Sequence, residues 1–182
     1  MLHPILQKEI SKDSPKYLFF WGGKSNKPYI TKACFSQWSN HSFEVNGVKY
    51  ANAEQFMMAG KARLFDDSEI LKSILKTSDP REIKALGRKV KNFDAKIWDK
   101  KKLDVVIEGN LAKFSQDPKL FDFIIETKDK ILVEASPYDR IWGIGMKEDH
   151  PHCQTPSKWK GENLLGVALM IVRDILKKKK NG

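Results

Sequence analysis

Apolar and polar positions change period several times along the chain, and each change marks an element. Lys16 to Trp21 is an aromatic run that ends at Gly22-Gly23, the pattern of a buried strand followed by a turn. Ser42 to Val45, then Asn46-Gly47, then Val48 to Tyr50 predicts a hairpin, because Asn-Gly supplies the positive φ angles of a type I′ turn. From Asn52 the period becomes helical. Asn52 is a helix cap whose amide Gln55 can reach back to, so a helix is predicted to about Leu64. Asp67 or Ser68 opens a second helix that ends before Asp79-Pro80. Pro80 then takes a first helical position, with Glu82 completing another capping pattern.

Within Asn92 to Phe114, Ile97, Leu103, Val106, Ile107 and Leu111 keep largely helical spacing, and Asp117-Pro118 starts a further short helix. Lys130 to Glu134 is a short apolar strand candidate. Ala135 to Gly161, rich in Gly and Pro, reads as an extended loop of the kind that carries function. Asn163 caps a final helix with a broad stripe formed by Leu164, Leu165, Val167, Ala168, Ile171, Val172 and Ile175. Strands early, one strand late and helices between do not alternate as βαβ units. The expected class is therefore α+β, a helix-rich single domain with a small antiparallel sheet. Its expected boundaries are an N-terminal arm over 1–15, the domain over 16–176 and a basic tail over 177–182.

Composition narrows the picture only modestly. A chain of 182 residues suits one core, and 41% hydrophobic with 10% aromatic residues is globular. The longest apolar run, Leu164 to Val172, is too short to cross a bilayer core of about 30 Å, and the first residues carry Glu9 and Asp13 rather than a secretory pattern. A cytoplasmic protein without membrane contact is expected. The two cysteines, Cys34 and Cys153, read as free thiols, and His150, His152 and Cys153 match no zinc spacing, so neither metal nor cofactor is expected. Of the net charge of +10, four come from Lys177 to Lys180, and the remainder permits an anionic ligand without naming one. The oligomeric state is left open.

Three segments concentrate chemistry. Tyr50 to Ala62 places Glu54, Met58 and Lys61 on one face of a helix with 3.6 residues per turn. Buried together, a carboxyl is raised in pKa and an amine lowered, which makes a proton donor and a nucleophile; exposed, the same pair is an ordinary solvated surface. Val133 to Gly145 gathers Tyr138, Asp139, Arg140, Trp142 and Gly143 in one loop, a binding loop or a structural ion pair with a core anchor. Trp159 to Gly166 enters the last helix, where Lys160 and free backbone amides suit an anion and Asn163 supplies the cap.

The order of these segments is specific. Phe35-Ser36-Gln37-Trp38, Glu54 through Lys61, Gly87-Arg88, Trp98, Lys113-Phe114, the Glu134 to Gly145 loop, and Gly161 through Gly166 to Arg173 together resemble the NADAR (YbiA-like) family over roughly 17–176. The resemblance implies the YbiA-like fold and cleavage of a ribose–nitrogen bond. It implies a nucleotide-like or ADP-ribosylated substrate: either ADP-ribose on guanine or phosphoribosylamino-pyrimidine intermediates of riboflavin synthesis. It also implies Glu54, Lys61 and Asp139 as catalytic, with Lys61 attacking the anomeric carbon. Trp21, Gly22, Phe35, Ser36, Trp98, Tyr138, Trp142, Gly143, Lys160 and Asn163 are the expected substrate contacts. Phe19 to Gly23 looks more like the relatives linked to ADP-ribose. Gln37 and Gln55 depart from the family pattern, which usually has asparagine and histidine there. Two other readings stand beside it. One is a nucleic-acid binding module, suggested by ten basic against five acidic residues over Arg81 to Lys113, which also suits a modified guanine within a nucleic acid. The other is a non-catalytic ADP-ribose reader.

Overall fold

The computed structural model describes residues 2–181. Strand β1 (Tyr17–Phe20) is followed by a hairpin of β2 (Phe43–Val45) and β3 (Val48–Tyr50). Helices α2 (Ala53–Leu64), α3 (Ser68–Lys76), α4 (Pro80–Gly87), α5 (Ala95–Gln116) and α6 (Pro118–Ile125) come next, then β4 (Ile131–Glu134) and α7 (Leu164–Asn181). The first helix, α1 (Pro4–Ile10), precedes them all. The α+β class is borne out, and the antiparallel sheet is the β2–β3 hairpin, with Asn46 and Gly47 both at positive φ as its turn requires.

The period of the sequence did not foresee the second pairing. β1 and β4 lie side by side in parallel, Tyr17 opposite Ile131 and Phe20 opposite Glu134. Parallel partners need a long crossover, and here nearly the whole helical body supplies it. Because the strands run the same way, the loops that leave their carboxyl ends emerge at one edge. That edge is where open parallel sheets commonly bind ligands.

The segment expected as an arm carries α1, and Leu6 is fully buried in the core, so apolar burial docks the helix near β4. At the other end α7 continues through Lys177 to Lys180. The first residue of the expected arm and the last of the expected tail lie outside the described residues. α5 lies at the centre and packs on both α2 and α7, around Phe56, Val106, Phe114, Leu165, Ala168 and Leu169. No helix among the described residues is long and apolar enough to cross a membrane.

The caps explain the helix starts, with local corrections. Asn52, Asp67, Asp79 and Asp117 each accept a backbone N–H from the first turn they precede. Gln55 does reach back, but to the amide of Ala51 rather than of Asn52, at 2.7 Å. Its other end donates to the carbonyls of Ile74 and Thr77, so it ties α2 to the end of α3. Glu82 accepts from the Thr77 hydroxyl and not from a cap amide. Asn163 is not a side-chain cap of α7. It sits at φ +56°, and its side chain turns to β4, accepting from Glu134 N (3.0 Å) and donating to Leu132 O (2.9 Å).

Gly166 makes that contact possible. A Cβ there would lie 2.0 Å from the carbonyl oxygen of Leu132 and 2.4 Å from Nδ2 of Asn163. Neither partner can yield without breaking the strand contact. Gly166→Ala is expected to destabilise the fold by about 1–3 kcal/mol, as overpacking does. Urea unfolding of the two proteins checks this, and equal midpoints would exclude the contact as a constraint.

Candidate functional site

A cavity of about 560 Å³ opens beside the carboxyl ends of β1 and β4. Five pieces of chain build it. β1 runs into Trp21 and Gly22, and β4 into Ser136, Tyr138, Asp139 and Trp142. The segment Ser36 to Trp38 forms a second side, and α2 presents Glu54, Met57, Met58 and Lys61 as a third. The end of α4 brings Lys84, Gly87 and Arg88. α4 approaches this closely because Gly87 has no side chain: a Cβ there would fall 2.0 Å from Sδ of Met58.

Each wall is fixed by buried polar contacts. Lys113 of α5 is almost fully buried and donates to Cys34 O (2.6 Å), Ser36 O (3.2 Å) and Ser39 Oγ (2.7 Å), which anchors the Ser36 to Trp38 segment. Burial brings its ammonium down to about 8. Gln37 accepts from Asn110 Nδ2 (2.8 Å), and its carbonyl accepts the amide of Glu54 (3.0 Å), joining this segment to the start of α2. In the β4 loop, Asp139 Oδ1 accepts from Ile141 N (2.9 Å) and Trp142 N (2.7 Å), and the Ser136 hydroxyl accepts from the amides of Tyr138 and Asp139.

Glu54 is only 3% exposed. Burial is the main reason its carboxyl rises from 4.5 to about 7; the Asp139 carboxylate pushes the same way, while Lys84, the Trp38 side chain and Arg88 oppose it. Glu134 rises to about 8, again first through burial and then through Asp139 and Glu54. Lys61 is lowered by desolvation; its Nζ donates to Gly87 O (2.8 Å) and lies 4.1 Å from the centre of the Phe93 ring. A half-buried amine and a fully buried carboxyl therefore share one apolar wall, the arrangement that keeps an acid protonated and favours a neutral amine. Around the mouth, Trp21 is 50% and Tyr138 85% exposed, with ring centres 6.0 Å apart.

The cavity brings together eight of the expected residues: Glu54, Lys61, Asp139, Trp21, Gly22, Ser36, Tyr138 and Trp142. Five others stand elsewhere. Phe35 is fully buried behind the wall, stacked on Phe114 at 5.8 Å, and Trp98 packs on the core from the first turn of α5. Gly143 is a packing position, its carbonyl accepting from Asn163 N, while Lys160 is exposed and outside the cavity. Asn163 holds β4, as described above. The expected anion site at the start of α7 is closed, because the amides of Asn163, Leu164 and Leu165 already donate to the carbonyls of Gly143, Ile141 and Trp142.

Trp38, Lys84, Arg88 and Glu134 line the cavity without having been singled out individually. Trp38, Arg88 and Glu134 belong to segments that drew attention. Lys84 had only its place four residues before Arg88, one helical turn away, as a signal.

Relatives share this framework. The chain is 46% identical over 167 residues to N-glycosidase R617 of Acanthamoeba polyphaga mimivirus, covering 89% of this chain and 97% of that protein. It is 31% identical over 148 residues to N-glycosidase Npun_R5314 of Nostoc punctiforme, covering 81% and 86%. Relatives at 26–28% identity include proteins named for riboflavin biosynthesis, from Zea mays, Arabidopsis thaliana and Vibrio vulnificus. The NMR structure of the E. coli protein YbiA superposes with a TM-score of 0.74 at 25% identity, covering 93% of this chain and 89% of that one. A family model described as the NADAR domain matches residues 19–177, and with the fold and the cavity in agreement the chain belongs to the NADAR family.

Proposed function

We propose that this protein, an N-glycosidase like its relatives, releases ADP-ribose from guanine. The aromatic mouth carries the finer reading. Trp21 and Tyr138 extend stacking surface well outside the buried carboxyls, more than one leaving base needs, and a substrate with a second ring system uses it. Lys84 and Arg88 beside the cavity suit a diphosphate between the two rings. A pyrimidine intermediate of riboflavin synthesis is the second reading, favoured by the names of the more distant relatives. Guanine carried in a nucleic acid is compatible with the basic residues beside the cavity.

Expelling a nitrogen base leaves positive charge on the sugar and requires a proton for the departing atom. Glu54, kept neutral by burial, gives its proton to the leaving nitrogen and becomes a carboxylate. The neutral amine of Lys61 bonds to the anomeric carbon as the carbon–nitrogen bond to the base breaks. The ring oxygen then takes a proton from the attached nitrogen and leaves the anomeric carbon, giving a Schiff base on Lys61; water adds to it, the lysine departs as the amine, and the proton that the water sheds returns to Glu54. Asp139, with one oxygen committed to its own loop, steadies the cationic sugar through the field of its charge.

Separate incubation with an ADP-ribosylated guanine oligonucleotide and with a phosphoribosylamino-pyrimidine, with products resolved by mass, tests the substrate. Release of ADP-ribose is expected. Exclusive turnover of the pyrimidine overturns the guanine assignment.

Glu54→Gln is expected to lower kcat by on the order of 10²–10⁴-fold at neutral pH, the usual worth of a general acid. Glu54→Gln should therefore remove from the pH profile of kcat/KM the limb that titrates near 7 in the unmodified enzyme. The same group makes stability depend on pH. Its native pKa lies above the unfolded one, so its contribution is complete below about 4.5 and lost as pH rises toward about 7. Glu54→Gln should therefore melt higher than the parent near pH 8 and lose that advantage near pH 5, which calorimetry at the two pH values checks.

Borohydride added during turnover should trap a sugar adduct on Lys61, seen by peptide mass, and Lys61→Ala should abolish it. An enzyme that turns over normally and never yields the adduct uses water directly.

A further inference from the structure

Three carboxyl groups face the cavity, and the function assigned above uses Glu54 and Asp139. Glu134 is the third. It ends β4 with its backbone locked on both sides: its amide donates to Asn163 Oδ1 (3.0 Å), and its carbonyl accepts from Ile144 N (2.9 Å). The direction of its side chain is therefore set by the strand. Oε2 of this side chain is buried and finds no hydrogen-bond partner among the described residues. A buried polar atom without a partner destabilises a fold, so it is a site where function is sought. Asp139 differs, since its Oδ1 already serves two backbone amides.

We propose that Glu134 touches the substrate, its unpaired carboxyl oxygen bonding the ribosyl hydroxyl on the carbon next to the anomeric centre. This rests on the reading of the cavity as the site of N-ribosyl cleavage. Glu54 has to reach the leaving nitrogen on the anomeric carbon, and Glu134 lines the same cavity as Glu54. The sugar position adjoining that carbon thus falls to Glu134. Burial holds Glu134 neutral near pH 7, so the carboxyl can donate to a hydroxyl as well as accept from one. A site built around a hydroxyl discriminates strongly against a substrate that lacks it, because its own polar atom is then left unpaired.

The test compares kcat/KM for an N-ribosyl substrate and for its counterpart lacking that 2-hydroxyl on the ribose at the scissile bond. Parent enzyme, Glu134→Ala and Glu134→Gln are measured alike. Glu134→Ala should lower the ribosyl-to-deoxyribosyl ratio by about tenfold, and Glu134→Gln, which still pairs with a hydroxyl, should restore part of it. A ratio unchanged in Glu134→Ala, with both rates down equally, makes Glu134 a packing residue and overturns the proposal. Should Glu134→Ala fail to fold in a thermal melt, Glu134→Val, a strand-forming residue that cannot pair with a hydroxyl, replaces it: a ratio equal to the parent's rejects the contact, and a lowered ratio supports it. Parent enzyme that cleaves neither N-ribosyl compound removes the substrate reading itself, a result distinct from an active parent with an unaltered ratio in the variants.

Discussion

The side-chain amide of Asn163 is the contact on which the site depends. β1 satisfies one edge of β4, through bonds from Ile131 N and Ala135 N to carbonyls on and beside β1. The opposite edge would be left with unpaired groups in the interior, a costly state for buried backbone. Asn163 fills it with one donor and one acceptor, and Gly166 leaves the room to do so. The two-stranded pair, too small to be stable alone, is thereby fastened to the start of α7. Once β4 is fixed, so are Glu134 and the loop that follows it.

The remaining walls follow the same logic, with buried polar groups used as fasteners. Lys113 crosses from α5 to three oxygens around Cys34, Ser36 and Ser39, and Arg173 donates to Thr127 Oγ1 and Lys130 O just before β4. Such contacts add little net stability, because desolvating a cation offsets most of what its partners return. What they do add is position. Glu54 and Glu134 are raised in pKa first by the burial that these walls maintain and further by the neighbouring Asp139 charge, against the pull of Lys84.

Much of the helical framework was legible, because caps and apolar stripes are local signals. Asn52, Asp67, Asp79 and Asp117 mark their helix starts, and α2 ends at Leu64 as its pattern requires. The parallel pairing was not legible, since Tyr17 and Ile131 are distant in the chain and a four-residue apolar strand carries no mark of its partner. In the site, seven-residue spacing on one helix did put Glu54 and Lys61 on a common wall. Phe35, Trp98 and Asn163 show the limit of such reasoning: a residue that braces the wall from behind has the same local signature as one that faces the cavity. Gln55 likewise departs from the family pattern at a joint between α2 and α3, and not at a surface of the cavity.

The amides at the start of α7 are capped by carbonyls of residues 141 to 143, while Asp139 and Ser136 close the same loop from within. A loop sewn to a central helix in this manner belongs to the folding unit and has no freedom to act as a lid. The cavity wall that this loop forms is therefore set by the fold itself. What remains free to move at the mouth is side chains, the exposed rings of Trp21 and Tyr138, whose rotation falls on the nanosecond scale or faster.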